Sequence, residues 1–226
     1  MSELKKVSRR FEIKNSQLFL SNEKGISIIP AQAFHKYWRR PDKENVISDY
    51  EKDDGRSAEL VKLFSKYCSK DNRILEPGCS VGRNLHYLYE AGFTNLKGVE
   101  INQEAIFRGD KLYPNTVAKI PRWCSSFEDY LVDCVDNPAD VVFTMAFFMH
   151  VHPSSEWIFQ VIYNRIRKFV ITVENEEGLN YRVISRKYKD IFEGFGMKQL
   201  EEKYLEFDNT IDSTGTIKLT YRVFKK

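Results

Sequence analysis

Arg73-Ile74-Leu75-Glu76-Pro77-Gly78-Cys79-Ser80-Val81-Gly82-Arg83-Asn84-Leu85 is the stretch from which the rest of the chain is read. A short apolar run ends in an acidic residue, passes through a glycine turn and opens an amphipathic helix. That order builds a ligand site at the carboxyl end of a strand in an α/β sheet. Gly78 permits a tight turn, and Gly82 lets the following helix approach without a Cβ in the way. N–H groups left over at that helix start are available to a ligand. Eighteen residues after Gly82 stands Glu100, at the tip of a second short strand, Leu96-Lys97-Gly98-Val99-Glu100-Ile101. A carboxylate there suits a ribose, because it accepts hydrogen bonds from both free hydroxyls.

Glu76-Pro77-Gly78-Cys79-Ser80-Val81-Gly82 followed by Gly98-Val99-Glu100 resembles motifs I and II of the class I S-adenosylmethionine-dependent methyltransferases. A dinucleotide-binding dehydrogenase wants G-x-G-x-x-G, and position 80 is Ser. The resemblance covers about residues 55 to 226 and is strongest at 73 to 101. It implies an α/β, Rossmann-like, seven-stranded sheet whose last strand is antiparallel, here with a small N-terminal β/helix appendage. S-adenosyl-L-methionine is the implied cofactor and S-adenosyl-L-homocysteine the product. Gly78, Cys79, Ser80 and Gly82 would hold the methionine part with their backbone, Glu76 its ammonium, and Glu100 the ribose. Asn84, Ile101 and Met145 belong to the same implied donor site. In the family an acidic residue often meets the adenine after the third strand; here Ser125, Ser126 and Phe127 stand there instead.

Composition agrees with an ordinary globular chain of 226 residues, 42% hydrophobic and 30% charged. A domain of 55–226 preceded by a substrate or lid segment at 1–54 fits that length. No secretory signal and no run long enough to span a bilayer is read, since Val141 to Val151 is interrupted by Thr144 and His150. Cys68, Cys79, Cys124 and Cys134 form no C-x-x-C pair, so neither a metal site nor a disulfide framework is expected, and a cytoplasmic location is the plain reading. Residues 1 to 40 hold nine Lys/Arg against three Glu, +6 of a total of +3. Such an arm suits an anionic partner or simply solvates the chain. Without a stacked-aromatic RNA signature, a nucleic-acid partner is not expected.

A polar start, short alternating runs up to Ile29 and a helix at Ala31 to Arg40 come first. The resemblance implies that this segment closes over the donor, with Tyr37 and Trp38 reaching the substrate; an aromatic staple onto the core is the rival reading. An acidic linker, Asp49 to Asp54, leads to Arg56, which could meet the donor carboxylate or an anionic substrate. After the fourth core strand comes Met145-Ala146-Phe147-Phe148-Met149-His150-Val151-His152-Pro153, the loop that borders methyl group and acceptor in the family. Phe147 would form substrate wall, and His150 and His152 are candidate bases because imidazole titrates near neutrality. A histidine capping a neighbouring helix explains them equally. Glu174, at the tip of the strand Phe169 to Val173, could hold a polar or cationic acceptor. A helix at Arg182 to Glu193 and two strands joined by 208–215 close the chain.

These readings converge on in-line methyl transfer to an oxygen or nitrogen of a small-molecule acceptor, anionic or sugar-related. The Tyr37-Trp38-Arg39 order ahead of the motif is similar to small bacterial methyltransferases that modify surface sugars. N-P-P-Y, carried by many methyltransferases of exocyclic base amines, is replaced by Thr144-Met145-Ala146-Phe147. RNA or protein methylation, or a donor-binding partner subunit without turnover, are the alternatives.

Overall fold

A computed structural model describes residues 10–41, 45–51, 55–134, 138–180, 182–207 and 217–226. The polar start at 1–9, residues 52–54 of the acidic linker and the turn at 208–215 lie outside the described residues. The described chain begins with an antiparallel three-stranded sheet, β1 (Arg10–Lys14), β2 (Gln17–Asn22) and β3 (Gly25–Ile29). Asn15 and Ser16 join β1 to β2 with φ of 48° and 58°, the left-handed pair that matches strand twist in a two-residue hairpin. Helix α1 (Ala31–Arg39) follows Pro30 and ends before Pro41. Leu18 of β2 and Phe34 of α1 pack with Ile184, so this small sheet leans on the C-terminal half of the chain.

After α2 (Arg56–Tyr67) the chain alternates strand and helix: β4 (Ile74–Pro77), α3 (Arg83–Glu90), β5 (Leu96–Glu100), α4 (Gln103–Leu112), β6 (Arg122–Cys124), α5 (Phe127–Asp133), β7 (Val141–Met145), α6 (Trp157–Arg165), β8 (Phe169–Glu174), α7 (Tyr188–Gly194), β9 (Lys198–Phe207) and β10 (Ile217–Lys225). The strands form one sheet in the order β6-β5-β4-β7-β8-β10-β9. Five are parallel; β10 inserts antiparallel between β8 and β9. This is the expected seven-stranded sheet. Its central strands are buried on both faces, which is why they read as apolar runs. Neighbouring residues of one strand serve opposite layers: Ile74 and Val141 pack with Leu63, Phe64 and Leu85, whereas Leu75 and Val142 pack with Tyr130, Ile158 and Ile162. Strand order reverses between β4 and β7, so the crevice opens at the carboxyl ends of those two strands.

One expectation fails here. Only Tyr188–Gly194 of the helix expected over 182–193 is helical. Residues 182–187 stay irregular because the backbone finds other partners. Asn180 Oδ1 accepts the N–H groups of Arg182 and Val183, both at 2.8 Å, and Ile184 N–H reaches Met149 O at 2.7 Å. Trp157 is 42% exposed at the start of α6, while Ile158, Phe159 and Ile162 are buried. Among the described residues, no helix is long and apolar enough to cross a membrane.

Candidate active site

The glycine loop leaves β4 through three left-handed residues, Gly78 (φ 69°), Ser80 (φ 49°) and Gly82 (φ 79°). Gly78 and Cys79 both donate to Val99 O, at 2.8 and 3.2 Å, which ties the loop to β5. A Cβ on Gly78 would lie 2.3 Å from Phe147 Cδ2, so β7's loop rests directly on it. A Cβ on Gly82 would meet Val117 Cγ1 at 2.7 Å; that packing, with the positive φ, is what requires glycine there. Cys79 turns its side chain into the core above Gly98. Burial pushes its thiol well up.

Two carboxylates flank the loop. Glu76 is 2% exposed; its Oε1 accepts from Asn84 Nδ2 at 2.8 Å, while Oε2 is buried and meets no hydrogen-bond donor among the described residues. Burial raises its carboxyl to about 8, with the Asn84 bond and Arg83 working against the rise. Asn84 is oriented in turn: its Oδ1 accepts from Ser57 Oγ at 2.9 Å, and that hydroxyl accepts from Arg83 Nε at 3.2 Å. Glu100 accepts from Ser80 N–H and Asn102 N–H, both at 2.8 Å. Burial raises its carboxyl, and those N–H groups offset part of the rise. Asn102 caps α4 through Glu104 and Ala105 N–H.

Beyond β6, Ser125 donates its N–H to Glu100 O at 3.1 Å, and its hydroxyl is buried without a partner among the described residues. Ser126 uses its hydroxyl to cap α5 through Asp129 N–H. Phe127 is buried edge-on to Phe147, ring centroids 5.8 Å apart. These groups, with Ile101, Met145, Ala146 and Phe147, line one cleft. Arg56 lines it from the first turn of α2.

Two expected substrate groups, Glu174 and Tyr37, lie elsewhere. Glu174 is fully buried beneath the cleft: Phe147 and Phe148 N–H reach its Oε1 and Met149 N–H its Oε2, all at 3.1 Å. It anchors the loop after β7, and burial lifts its carboxyl to about 7. The neighbouring Glu176 is taken by Arg222, at 2.7 and 2.9 Å. Tyr37 stands outside the cleft lining, its hydroxyl accepting from Asn45 Nδ2 at 3.1 Å and from Arg182.

The two histidines divide. His152 has both nitrogens engaged: Nδ1 accepts Ser154 N–H at 3.1 Å, and Nε2–H donates to Ile29 O at 2.9 Å. It caps the Pro153–Ser155 turn. His150 donates Nδ1–H to Arg182 O at 2.9 Å, which leaves Nε2 as the lone-pair nitrogen, with no protein partner among the described residues. Burial depresses this imidazole to about 4. Its ring lies 4.4 Å from Trp38, and both line the cleft.

Helix α1 roofs the cleft. Phe34 meets His152 edge-on, and His35 pairs with Glu128 of α5 at 3.2 Å. Tyr50 and Asn45 also line it, and Tyr50 donates to Asn45 Oδ1 at 3.3 Å. The sequence carries no signal for these, since they reach the cleft only through the fold of 45–50.

Residues 75–168 match the family model described as "Methyltransferase domain". Over those residues the chain is similar to a methyltransferase domain. Solved structures agree on the fold. An S-adenosylmethionine-dependent methyltransferase from Archaeoglobus fulgidus is 18% identical, with 75% of this chain and 92% of that chain covered and a TM-score of 0.59. Magnesium protoporphyrin IX methyltransferase from Synechocystis, crystallised with S-adenosylmethionine, is 11% identical with 88% and 99% covered and a TM-score of 0.62. A putative RNA methyltransferase from Pyrococcus horikoshii is 10% identical with 87% and 98% covered and a TM-score of 0.59. No curated protein matches this chain by sequence.

S-adenosylmethionine is the cofactor that a methyltransferase domain implies, and this cleft suits it chemically. The unpartnered Glu76 Oε2 calls for a buried donor, which an ammonium supplies, and the Ser125 hydroxyl has a hydrogen bond to make. The cleft thus offers a carboxyl group on each side of its glycine loop, Glu76 and Glu100.

Proposed function

We propose that this methyltransferase moves a methyl group from S-adenosylmethionine to an oxygen or nitrogen of a small-molecule acceptor. The buried Glu76 Oε2, without a partner on the same cleft as Glu100, carries the reading. Glu76 takes the ammonium, the 78–82 backbone the rest of the methionine part, and Glu100 the ribose hydroxyls. The Ser125–Phe127 turn and Ile101 border the adenine, while Met145 and Asn84 flank the methionine chain. When bound, the cofactor supplies a methyl group already activated by its sulfonium. What remains for the chain is to place the nucleophile in line and accept its proton. Residues 1–54 act as the segment that covers the cleft, through Phe34, His35 and Trp38. His150, with a free lone pair, serves as base, and His152 and Glu174 hold the loop that carries it. Four unpaired cysteines suit a reducing cytoplasm.

Co-purification of S-adenosylhomocysteine, read by mass spectrometry, is expected. Calorimetry on Glu100→Ala should show donor binding weakened at least about tenfold, as loss of hydrogen bonds to a charged group implies; unchanged affinity sinks the ribose assignment. The alternatives are transfer to RNA or protein, or donor binding without turnover. Binding without transfer to any metabolite, RNA or protein pool would favour the non-catalytic module.

A further inference from the structure

Where α1 meets the loop after β7, the cleft is walled by Phe34, Trp38, Phe147 and Val151. Most polar groups at that junction are already satisfied. His35 and Glu128 pair with each other, His152 uses both nitrogens, and His150 uses Nδ1. Two ring atoms are left. His150 Nε2 is an acceptor without a protein partner among the described residues, and Trp38 Nε1–H is a donor without one. The two rings lie 4.4 Å apart.

We propose that the methyl acceptor is a hydroxyl carried on a flat apolar ring, a hydroxyarene, seated against Trp38 and Phe147 with its O–H turned to His150 Nε2. This deepens the methyltransferase reading above and rests on it. A hydroxyl both donates and accepts, so it answers His150 Nε2 and Trp38 Nε1 together. Carboxylate or phosphate oxygens would turn lone pairs toward the lone pair of His150. An ammonium would have nothing for Trp38. A sugar would bring several hydroxyls against apolar walls, each unpaired group costing about 1–3 kcal/mol. The seat therefore selects against the sugar-related and anionic acceptors that the sequence suggested.

In the step itself, the acceptor oxygen attacks the methyl carbon as the carbon–sulfur bond breaks and its electron pair returns to sulfur, leaving S-adenosylhomocysteine. The O–H proton passes to His150 Nε2 and then to water, so one positive charge moves from sulfonium to imidazolium to solvent. An imidazole depressed to about 4 is neutral at pH 7. So weak a base assists an aryl hydroxyl, with a pKa of about 10, far better than an aliphatic alcohol.

The test uses the full chain with methyl-labelled S-adenosylmethionine and four probes: 2-naphthol, 2-naphthoate, 2-naphthylmethylamine and methyl glucoside. Transfer to 2-naphthol is expected at least about tenfold faster than to the others. His150→Gln should lower kcat on 2-naphthol by about a hundredfold and leave donor affinity by calorimetry within about twofold of wild type. A nitrated naphthol, ionised at the assay pH, seats less well beside the His150 lone pair but needs no base, so its kcat should lose little in that variant, which a merely structural role for His150 would not produce. With donor bound, equal or faster transfer to glucoside, naphthoate or amine, or no transfer to 2-naphthol, overturns the proposal. Equal losses on ionised and neutral naphthols also overturn it. Absence of donor binding by the wild-type chain would instead refute the methyltransferase reading beneath it.

Discussion

Glu76→Gln separates the stability of the empty cleft from its function. Burial lifts the Glu76 carboxyl from 4.5 to about 8. Because the folded-state value is raised, the unfolded chain gives up this proton first as pH climbs. Stability is therefore lost from about pH 4.5 upward until the folded carboxyl ionises near 8. Integrated over that window, the loss is about 1 kcal/mol at pH 5 and about 3 kcal/mol at pH 7. Glutamine keeps the carbonyl that accepts from Asn84 and carries no charge to desolvate. The variant without donor should then melt about 6–12 °C higher at pH 7 and only slightly higher at pH 5, read by scanning fluorimetry. Donor binding should move the other way. An ammonium needs the charged carboxylate, so wild-type binding at pH 7 releases about 0.9 proton, seen by calorimetry in buffers of different ionisation enthalpy. The variant should release none from this site and bind at least about tenfold more weakly. A melting difference that is the same at pH 5 and pH 7, together with unchanged donor affinity, would refute the account of Glu76.

Three other outcomes follow from the geometry. Gly78→Ala places a Cβ 2.3 Å from Phe147 Cδ2 at a φ of 69°, so it should destabilise by about 1–2 kcal/mol in urea unfolding and displace the loop after β7. The partner change Phe147→Ala should recover part of the steric loss. Glu174→Gln puts an NH2 where Met149 N–H needs an acceptor; a loss of about 2 kcal/mol and faster hydrogen exchange at Phe147–Met149 are expected, with donor affinity nearly unchanged. Arg186→Ala strips three carbonyls, of Phe148, Ile184 and Val151, of their buried guanidinium and should cost about 3 kcal/mol; an unaltered urea midpoint would show that this anchor is dispensable.

The order of residues from Ile74 to Glu100 was enough to place a strand, a left-handed glycine turn, a helix and a carboxylate-tipped second strand. Those features are local: φ values that glycine tolerates, period-3.6 and continuous apolar runs, and an asparagine beside the N–H groups it caps. The antiparallel insertion of β10 was legible through the family pattern of a helix followed by two strands. What the chain order did not disclose is how side chains far apart in sequence share polar partners. Glu174 lies under residues 147–149, Tyr37 is turned toward Asn45 and Arg182, and His152 is spent on Ile29 and Ser154, while Asn180 and Arg186 hold 182–187 out of a helix that its apolar spacing favours. Each is decided by hydrogen bonds that exist only once the sheet and α1 have come together. A one-dimensional pattern records which residues are apolar and where the backbone can turn. It does not record which buried donor meets which acceptor, and among the described residues of this cleft that pairing leaves His150 Nε2 and Glu76 Oε2 open.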